Sequence, residues 1–364
     1  MTKLDIIAGA RPNFMKIGPV IHAIEKFNTA HVDINIEYRL IHTGQHYDKK
    51  MSDDFFTQLN IPEPNINLGA GGGSQAEQTA AIMIGYEKAI SEWKPELCIV
   101  VGDVTSTMAC SIVAKKSWVK VAHIEGGIRS WDQKMPEEIN RMVTDSITDY
   151  FFTTSEVANE NLLALGHSKD KIFFVGNTMI DSLVGNLDRL KQPQFWKENG
   201  LSEQNYLVMT LHRPSNVDAM QSLSTLLQII NDNVENKKVV FPMHPRTKKM
   251  YDQLGMNYEN LIITDPLSYL EFIYLVKNSV GVITDSGGIT EETTVLGIPC
   301  ITLRDTTERP ETISLGTNEL AGTNPIDIVP FLQKLTSRNW KKGSIPPLWD
   351  GKTAERIVKI VSIL

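Results

Sequence analysis

The feature that most constrains this chain is an alternation of strand-like and helix-like segments that runs through its first half and then starts again. Short apolar, β-branched runs fall at 3–8, 34–41, 97–101, 119–124, 150–154 and 172–175, and helical-period segments separate them. A second series follows at 206–211, 239–243, 261–264, 280–283 and 299–303. Such alternation builds doubly wound parallel sheets, and 364 residues are too many for one core. The expected class is therefore α/β, with two Rossmann-like domains facing across a cleft. The first domain is predicted over 1–175 and the second over 176–350. A helix at 353–363, within 351–364, is predicted to pack back on the first domain. The crossover lies at 176–183, where Asn177 or Thr178 suits a helix cap.

Open α/β sheets bind ligands beyond the carboxyl ends of their strands, so the residues that end each run carry the functional reading. The run 119–124 ends in Glu125, Gly126 and Gly127. Pro136 then suits the first position of a helix, and Glu137 and Glu138 suit its positive end. Ile139, Met142, Val143 and Ile147 recur at helical spacing and predict a core-facing stripe. Glu125 and Glu137, with Arg129 between them, are thus expected on one rim. Asp103 ends the run 97–101 on the same side. After the first strand comes G-A-R-P-N-F-M-K, whose Arg11 and Lys16 bracket a strand-to-helix turn suited to a phosphate. The glycine-rich G-A-G-G-G-S at 69–74 departs from a dinucleotide fingerprint. Its third glycine position is serine and no clear strand precedes it, so it is expected as a mobile loop and NAD is not expected.

In the second half, the run 280–283 leads into D-S-G-G-I-T-E-E. Gly287 and Gly288 allow close backbone approach, and Ser286 can cap the helix or donate to a phosphate. Glu292, about one turn in, suits the hydroxyls of a ribose. Arg309, in R-D-T-T-E-R-P-E, suits a diphosphate. Phe272 suits either a base pocket or the core. His212 ends the run 206–211.

A formal net charge of −7 argues against nucleic acid and anionic membrane surfaces as partners. Cys98, Cys110 and Cys300 all lie in apolar runs without a C-x-x-C pair, as buried thiols of a reducing compartment do. The first strand starts too early for a signal peptide, and no run is long enough to span a bilayer. A cytoplasmic protein is expected. No metal is expected either: Asp103, Glu125 and Glu137 lack tight ligand spacing and the histidines are scattered.

Together G-A-R-P-N-F-M-K, H-T-G-Q-H, V-G-D, H-I-E-G-G-I-R-S, M-P-E-E-I-N-R, L-H-R-P-S-N, D-S-G-G-I-T-E-E and R-D-T-T-E-R-P-E span nearly the whole chain. In this order they resemble the non-hydrolysing UDP-N-acetylglucosamine 2-epimerases. The resemblance implies a glycosyltransferase-B type fold and inversion at C2 of the sugar to give UDP-N-acetylmannosamine. It implies acid–base roles for Asp103, Glu125, Glu137 and His212. The implied nucleotide contacts are Arg11, Lys16, Phe272, Ser286, Gly287, Gly288, Glu292 and Arg309. No cofactor is implied, and the expected partner besides the UDP-sugar is a second copy, as a homodimer.

Such chemistry needs these groups. The C2 hydrogen is not adjacent to a carbonyl, so UDP must leave before a carboxylate can take that proton and form 2-acetamidoglucal. Crowded carboxylates raise one another's pKa, which lets one be acid while another is base.

Two departures stand out. Many members read H-R-R-E-N where this chain has His212-Arg213-Pro214-Ser215-Asn216, which opens the identity of the sugar. Some bacterial members bind a second substrate molecule as activator through Q-H-x-Q and a later arginine. Here Gln45 and His46 remain, but Asp48 replaces the second glutamine and Glu77 falls near the expected arginine, so weak or absent substrate activation is expected. The rival readings are a 2-epimerase of a UDP-2,3-diacetamido uronic acid, a hydrolysing epimerase, a transferase of the same fold and a UDP-sugar sensor.

Overall fold

The computed structural model describes residues 2–44, 56 and 60–364. Gln45, His46 and Asp48 lie outside the described residues. The chain divides into two units, Met1–Gly185 with Pro347–Leu364, and Asn186–Pro346.

The first unit holds a seven-stranded parallel sheet: β1 (Thr2–Ala8), β2 (Ile36–His42), β3 (Ile66–Asn67), β4 (Leu97–Val101), β5 (Lys120–Ile124), β6 (Tyr150–Thr153) and β7 (Ile172–Phe174). The order is β3-β2-β1-β4-β5-β6-β7, with Ile6 level with Leu40 on one side and Ile99 on the other. Every residue of β4 is buried, as a strand covered on both faces requires. The second unit holds six parallel strands: β8 (Tyr206–Thr210), β9 (Lys238–Pro242), β10 (Leu261–Thr264), β11 (Gly281–Thr284), β12 (Cys300–Thr302) and β13 (Asn318–Leu320), in the order β10-β9-β8-β11-β12-β13. Both sheets are Rossmann-like. Strand order reverses between β1 and β4 in one and between β8 and β11 in the other, and these reversals are where such sheets open a crevice for ligands.

Four expectations are corrected. First, the boundary falls after Gly185, not after 175. Helix Thr178–Asn186 stays with the first unit because Ser182 Oγ donates to the Met15 carbonyl and Asp181 accepts from the amides of Thr353 (3.1 Å) and Ala354 (2.7 Å). Those amides begin helix Thr353–Val361, which packs against helix Arg11–Ala30 of the same unit. Second, a strand does precede G-A-G-G-G-S: the two-residue β3, too short to read from sequence. Ser74 there is the cap of helix Gln75–Trp93, reciprocally bonded with Glu77, which explains both residues without a nucleotide.

Third, helix Pro136–Ile147 faces the other way. Ile139 and Met142 are 42% and 43% exposed, whereas Glu138, Asn140, Arg141, Thr144 and Asp145 are buried. Fourth, Ser286 precedes helix Gly287–Leu296 but its side chain makes no capping hydrogen bond. Among the described residues no helix is long and apolar enough to cross a membrane. All three cysteines are buried free thiols.

Candidate active site

In the first unit, the residues beyond β1, β4 and β5 meet. Asn13 starts the arrangement: its Oδ1 accepts from the amides of Gly9 (3.0 Å) and Ala10 (2.9 Å), and its Nδ2 donates to the Val101 carbonyl at 3.2 Å. This ties the turn after β1 to the end of β4. One turn along the same helix, Lys16 Nζ donates to Glu125 Oε2 at 2.7 Å. Lys16 therefore stands with an acid, while Arg11, expected beside it, is exposed at the helix start.

Glu125 has φ of +70°. A non-glycine residue in that region costs about 1–3 kcal/mol and persists where the surroundings dictate it. Here its amide donates to the Phe152 carbonyl at 2.9 Å. The next two glycines are obligatory: a Cβ on Gly126 would come within 2.9 Å of Phe151, and one on Gly127 within 2.4 Å of the Ala158 carbonyl.

Asp103 follows β4 at Gly102, where a Cβ would lie 3.4 Å from Lys16 Nζ and 3.6 Å from Glu125 Oε2, so the two acid-bearing turns adjoin. Arg141 holds Asp103 Oδ2 at 2.5 Å and Glu138 Oε2 at 2.6 Å, and Asn140 donates to the Asp103 carbonyl at 2.8 Å. The Asp103 carboxylate remains 31% exposed. Glu138 also accepts from Ser130 N and Oγ and from Trp131 N, which makes it a structural anchor. Glu137 is exposed on the first helical turn, with no hydrogen bond or ion pair to the described residues. Arg129 does not stand between the acids. It is buried against Asp145 at 2.6 Å.

In the second unit, the site residues gather beyond β8 and β11. His212 Nδ1 lies 2.6 Å from Asp285 Oδ1, and its ring is 56% exposed. Asp285 also accepts from the amides of His212 and Arg213 and from Asn216 Nδ2. Burial pushes the Asp285 carboxyl up, but the bond and charge of His212, with the Arg213 amide and Asn216, outweigh it and hold the group below its ordinary value.

Glu292 is buried and accepts from Tyr269 Oη at 2.9 Å. Burial pushes its carboxyl up to about 8, with Tyr269 opposing and the charge of Glu291 adding. Arg309 is buried and ion-paired with Glu291. Phe272 is half-buried against the cluster of Leu275, Val276 and Val282. Arg304 grips Glu308 with two bonds of 2.7 and 2.8 Å, and a Cβ on Gly287 would lie 3.7 Å from its Nη1. Among the described residues no group of three or more His, Cys, Asp or Glu could hold a metal ion.

The model of the UDP-N-acetylglucosamine 2-epimerase family matches residues 29–362. The UDP-N-acetylglucosamine 2-epimerase of Methanocaldococcus jannaschii is 41% identical, over 99% of this chain and 99% of its own. The chain belongs to the UDP-N-acetylglucosamine 2-epimerase family. A crystal structure of the M. jannaschii UDP-GlcNAc 2-epimerase, in complex with UDP-GlcNAc and UDP, superposes with a TM-score of 0.87 at 41% identity and 99% coverage of both chains. The UDP-2,3-diacetamido-2,3-dideoxy-D-glucuronate 2-epimerase of Pseudomonas aeruginosa is 39% identical over 88% of each chain.

Against that family background, sequence reasoning overlooked His123, Arg141, Asp145 and Tyr269, and it did not single out Arg304. A signal for Arg141 and Asp145 existed: with Glu138 they fall at i, i+3 and i+7, one polar helix face.

Proposed function

We propose that this protein is a UDP-N-acetylglucosamine 2-epimerase, interconverting that sugar nucleotide with UDP-N-acetylmannosamine by eliminating and re-adding UDP. The observation that carries this reading is the pair of carboxylates on adjoining turns, Glu125 held by Lys16 and Asp103 held by Arg141, in a chain that matches such enzymes over its full length.

The second unit binds UDP. Gly287, Gly288 and Ser286 receive the diphosphate at the start of helix Gly287–Leu296, Glu292 accepts from the ribose, Phe272 flanks the base, and Arg309 neutralises charge with Arg11. His212, steadied by Asp285, holds or protonates the leaving phosphate. As the C1–O bond breaks, its electron pair departs on UDP. A carboxylate among Asp103, Glu125 and Glu137 then takes the C2 proton, and the C2–H electrons become the C1=C2 bond of 2-acetamidoglucal. Delivery of a proton to the opposite face of C2 and return of the UDP oxygen to C1 give the epimer. Positioned acid–base groups of this kind contribute ~10²–10⁴-fold to rate, and the cations stabilise charge developing on the diphosphate.

The P. aeruginosa relative supports one second reading, a UDP-2,3-diacetamido uronic acid as substrate. Incubation with each sugar nucleotide separately, with products read by NMR, decides between them. Turnover of UDP-N-acetylglucosamine to its epimer, without free N-acetylmannosamine, supports the first. Turnover of the uronate alone supports the second.

The homodimer has support in an apolar patch on the first unit. Helices Gln75–Trp93, Thr105–Lys116 and Pro136–Ile147 pack side by side. Their outer faces carry Ile84 (57% exposed), Met142 and Ile139, with half-buried Met108 and Ile112 between. Patches of this kind mark association surfaces. Sedimentation of Ile84→Glu with Met142→Glu should give a monomer where the parent gives a dimer; a monomeric parent contradicts the proposal.

A further inference from the structure

We propose that His123 is a positioning residue of the acid site: a buried imidazole that locks the Gly102–Asp103 turn to the Glu125–Gly127 turn. The inference rests on the assignment of Asp103 and Glu125 as acid–base groups proposed above.

His123 sits on β5 and is fully buried. Its Nε2 lies 2.8 Å from the Gly102 carbonyl and its Nδ1 2.7 Å from Asp145 Oδ1. A carbonyl oxygen only accepts, so Nε2 carries a proton. The other Asp145 oxygen is engaged by the Gly127 amide at 3.0 Å and by Arg129 at 2.6 Å. Both ring nitrogens are thus engaged, and the carboxylate that meets Nδ1 is itself anchored to the Gly127 amide and the Arg129 cation.

The connectivity is what gives the cluster its role. One end of the ring grips the carbonyl immediately before Asp103. The other end reaches, through Asp145, the amide two residues after Glu125. Asp145 and Arg141 lie one turn apart on helix Pro136–Ile147, so the helix that holds the Asp103 carboxylate also carries the anion that holds the ring. The Gly102 amide closes the figure by donating to the Ile124 carbonyl at 3.0 Å. Removing His123 frees the Gly102 carbonyl and leaves Asp145 with only Arg129 and the Gly127 amide, so the two carboxylates lose their mutual register while the nucleotide contacts of the second unit are untouched. A misplacement of about 1 Å at reacting groups costs on the order of 10²-fold in rate.

The test uses the full-length protein with UDP-N-acetylglucosamine, comparing His123→Leu, which removes both ring nitrogens, with His123→Gln, which keeps one donor. The expected result is a fall in kcat of roughly 10²-fold in His123→Leu with KM little changed, and partial recovery in His123→Gln. In the parent, ¹⁵N NMR of labelled histidine should show a proton on His123 Nε2, the nitrogen that faces the Gly102 carbonyl. Should the variants fail to fold, the nitrogen shifts alone decide. An unprotonated His123 Nε2, or folded His123→Leu with kcat within about twofold of the parent, overturns the proposal. Asp103→Asn and Glu125→Gln are measured alongside. Full turnover in those two refutes the acid assignment itself; loss in those two with full kcat in His123→Leu refutes the positioning role alone.

Discussion

Lys16 Nζ and Glu125 Oε2 stand 2.7 Å apart, so a cation expected beside a phosphate is bound to one of the acids. The pairing joins the helix after β1 to the end of β5 across the reversal in strand order, and it sets what Glu125 can do. An ammonium at that distance fixes where the carboxylate oxygen lies.

Lys16→Met should therefore lower kcat by roughly 10²-fold through misplacement of the Glu125 carboxylate. Steady-state kinetics check it; kcat within about twofold of the parent would mean that the pair is structural only.

Glu292 gives a prediction with a defined sign. Burial raises its carboxyl to about 8, so near neutral pH the folded protein holds a proton that the unfolded chain has released. Stability from this group is full below the ordinary glutamate value of 4.5 and declines as pH rises toward about 8. A protonated carboxyl spends one oxygen on donating, and only the ionised form accepts from ribose hydroxyls at both oxygens. Binding of UDP-N-acetylglucosamine near pH 7 should therefore release a fraction of a proton, and Glu292→Gln should abolish the release. Calorimetry in buffers of different ionisation enthalpy reads this directly; equal release from parent and variant would place the nucleotide's ribose elsewhere.

Asp285 holds His212 by its ring and its amide. Asp285→Asn should lower kcat by roughly 10²-fold and destabilise the fold, since a carboxylate depressed by its partners contributes stability above the ordinary aspartate value of 3.8 that is lost as pH falls through the folded value. Thermal melts between pH 3 and pH 7 should converge for parent and variant at the acid end. Parallel curves would contradict the assignment.

Asp48 in place of the expected glutamine, with Glu77 near the expected arginine, predicts a hyperbolic rate curve in UDP-N-acetylglucosamine. Glu77 is already committed to the capping box with Ser74. A strongly sigmoidal curve would show that activation survives through other residues.

Much of this was legible in the sequence because parallel strands buried on both faces read as continuous apolar runs, and their polar ends then stand out. Asp103, Glu125, His212 and Ser286 were all located that way. The strands at 66–67 and 318–320 were not, being too short to carry a pattern. In helix Pro136–Ile147 the sequence points to the wrong face, because apolar periodicity finds a stripe without saying what covers it. Here the buried face is polar, with Glu138, Arg141 and Asp145 held by Ser130, Asp103 and His123. Side-chain pairings such as Lys16 with Glu125, 109 positions apart, exist only once the chain has folded.

The most direct measurement is C2 hydrogen exchange: UDP-N-acetylglucosamine incubated with the enzyme in heavy water and followed by NMR. Deuterium should enter at C2 as the epimer forms, and Glu125→Gln and Asp103→Asn should slow it by roughly 10²–10⁴-fold. Epimer formed without deuterium at C2, or no exchange and no epimer with the parent protein, would contradict elimination at these two carboxylates.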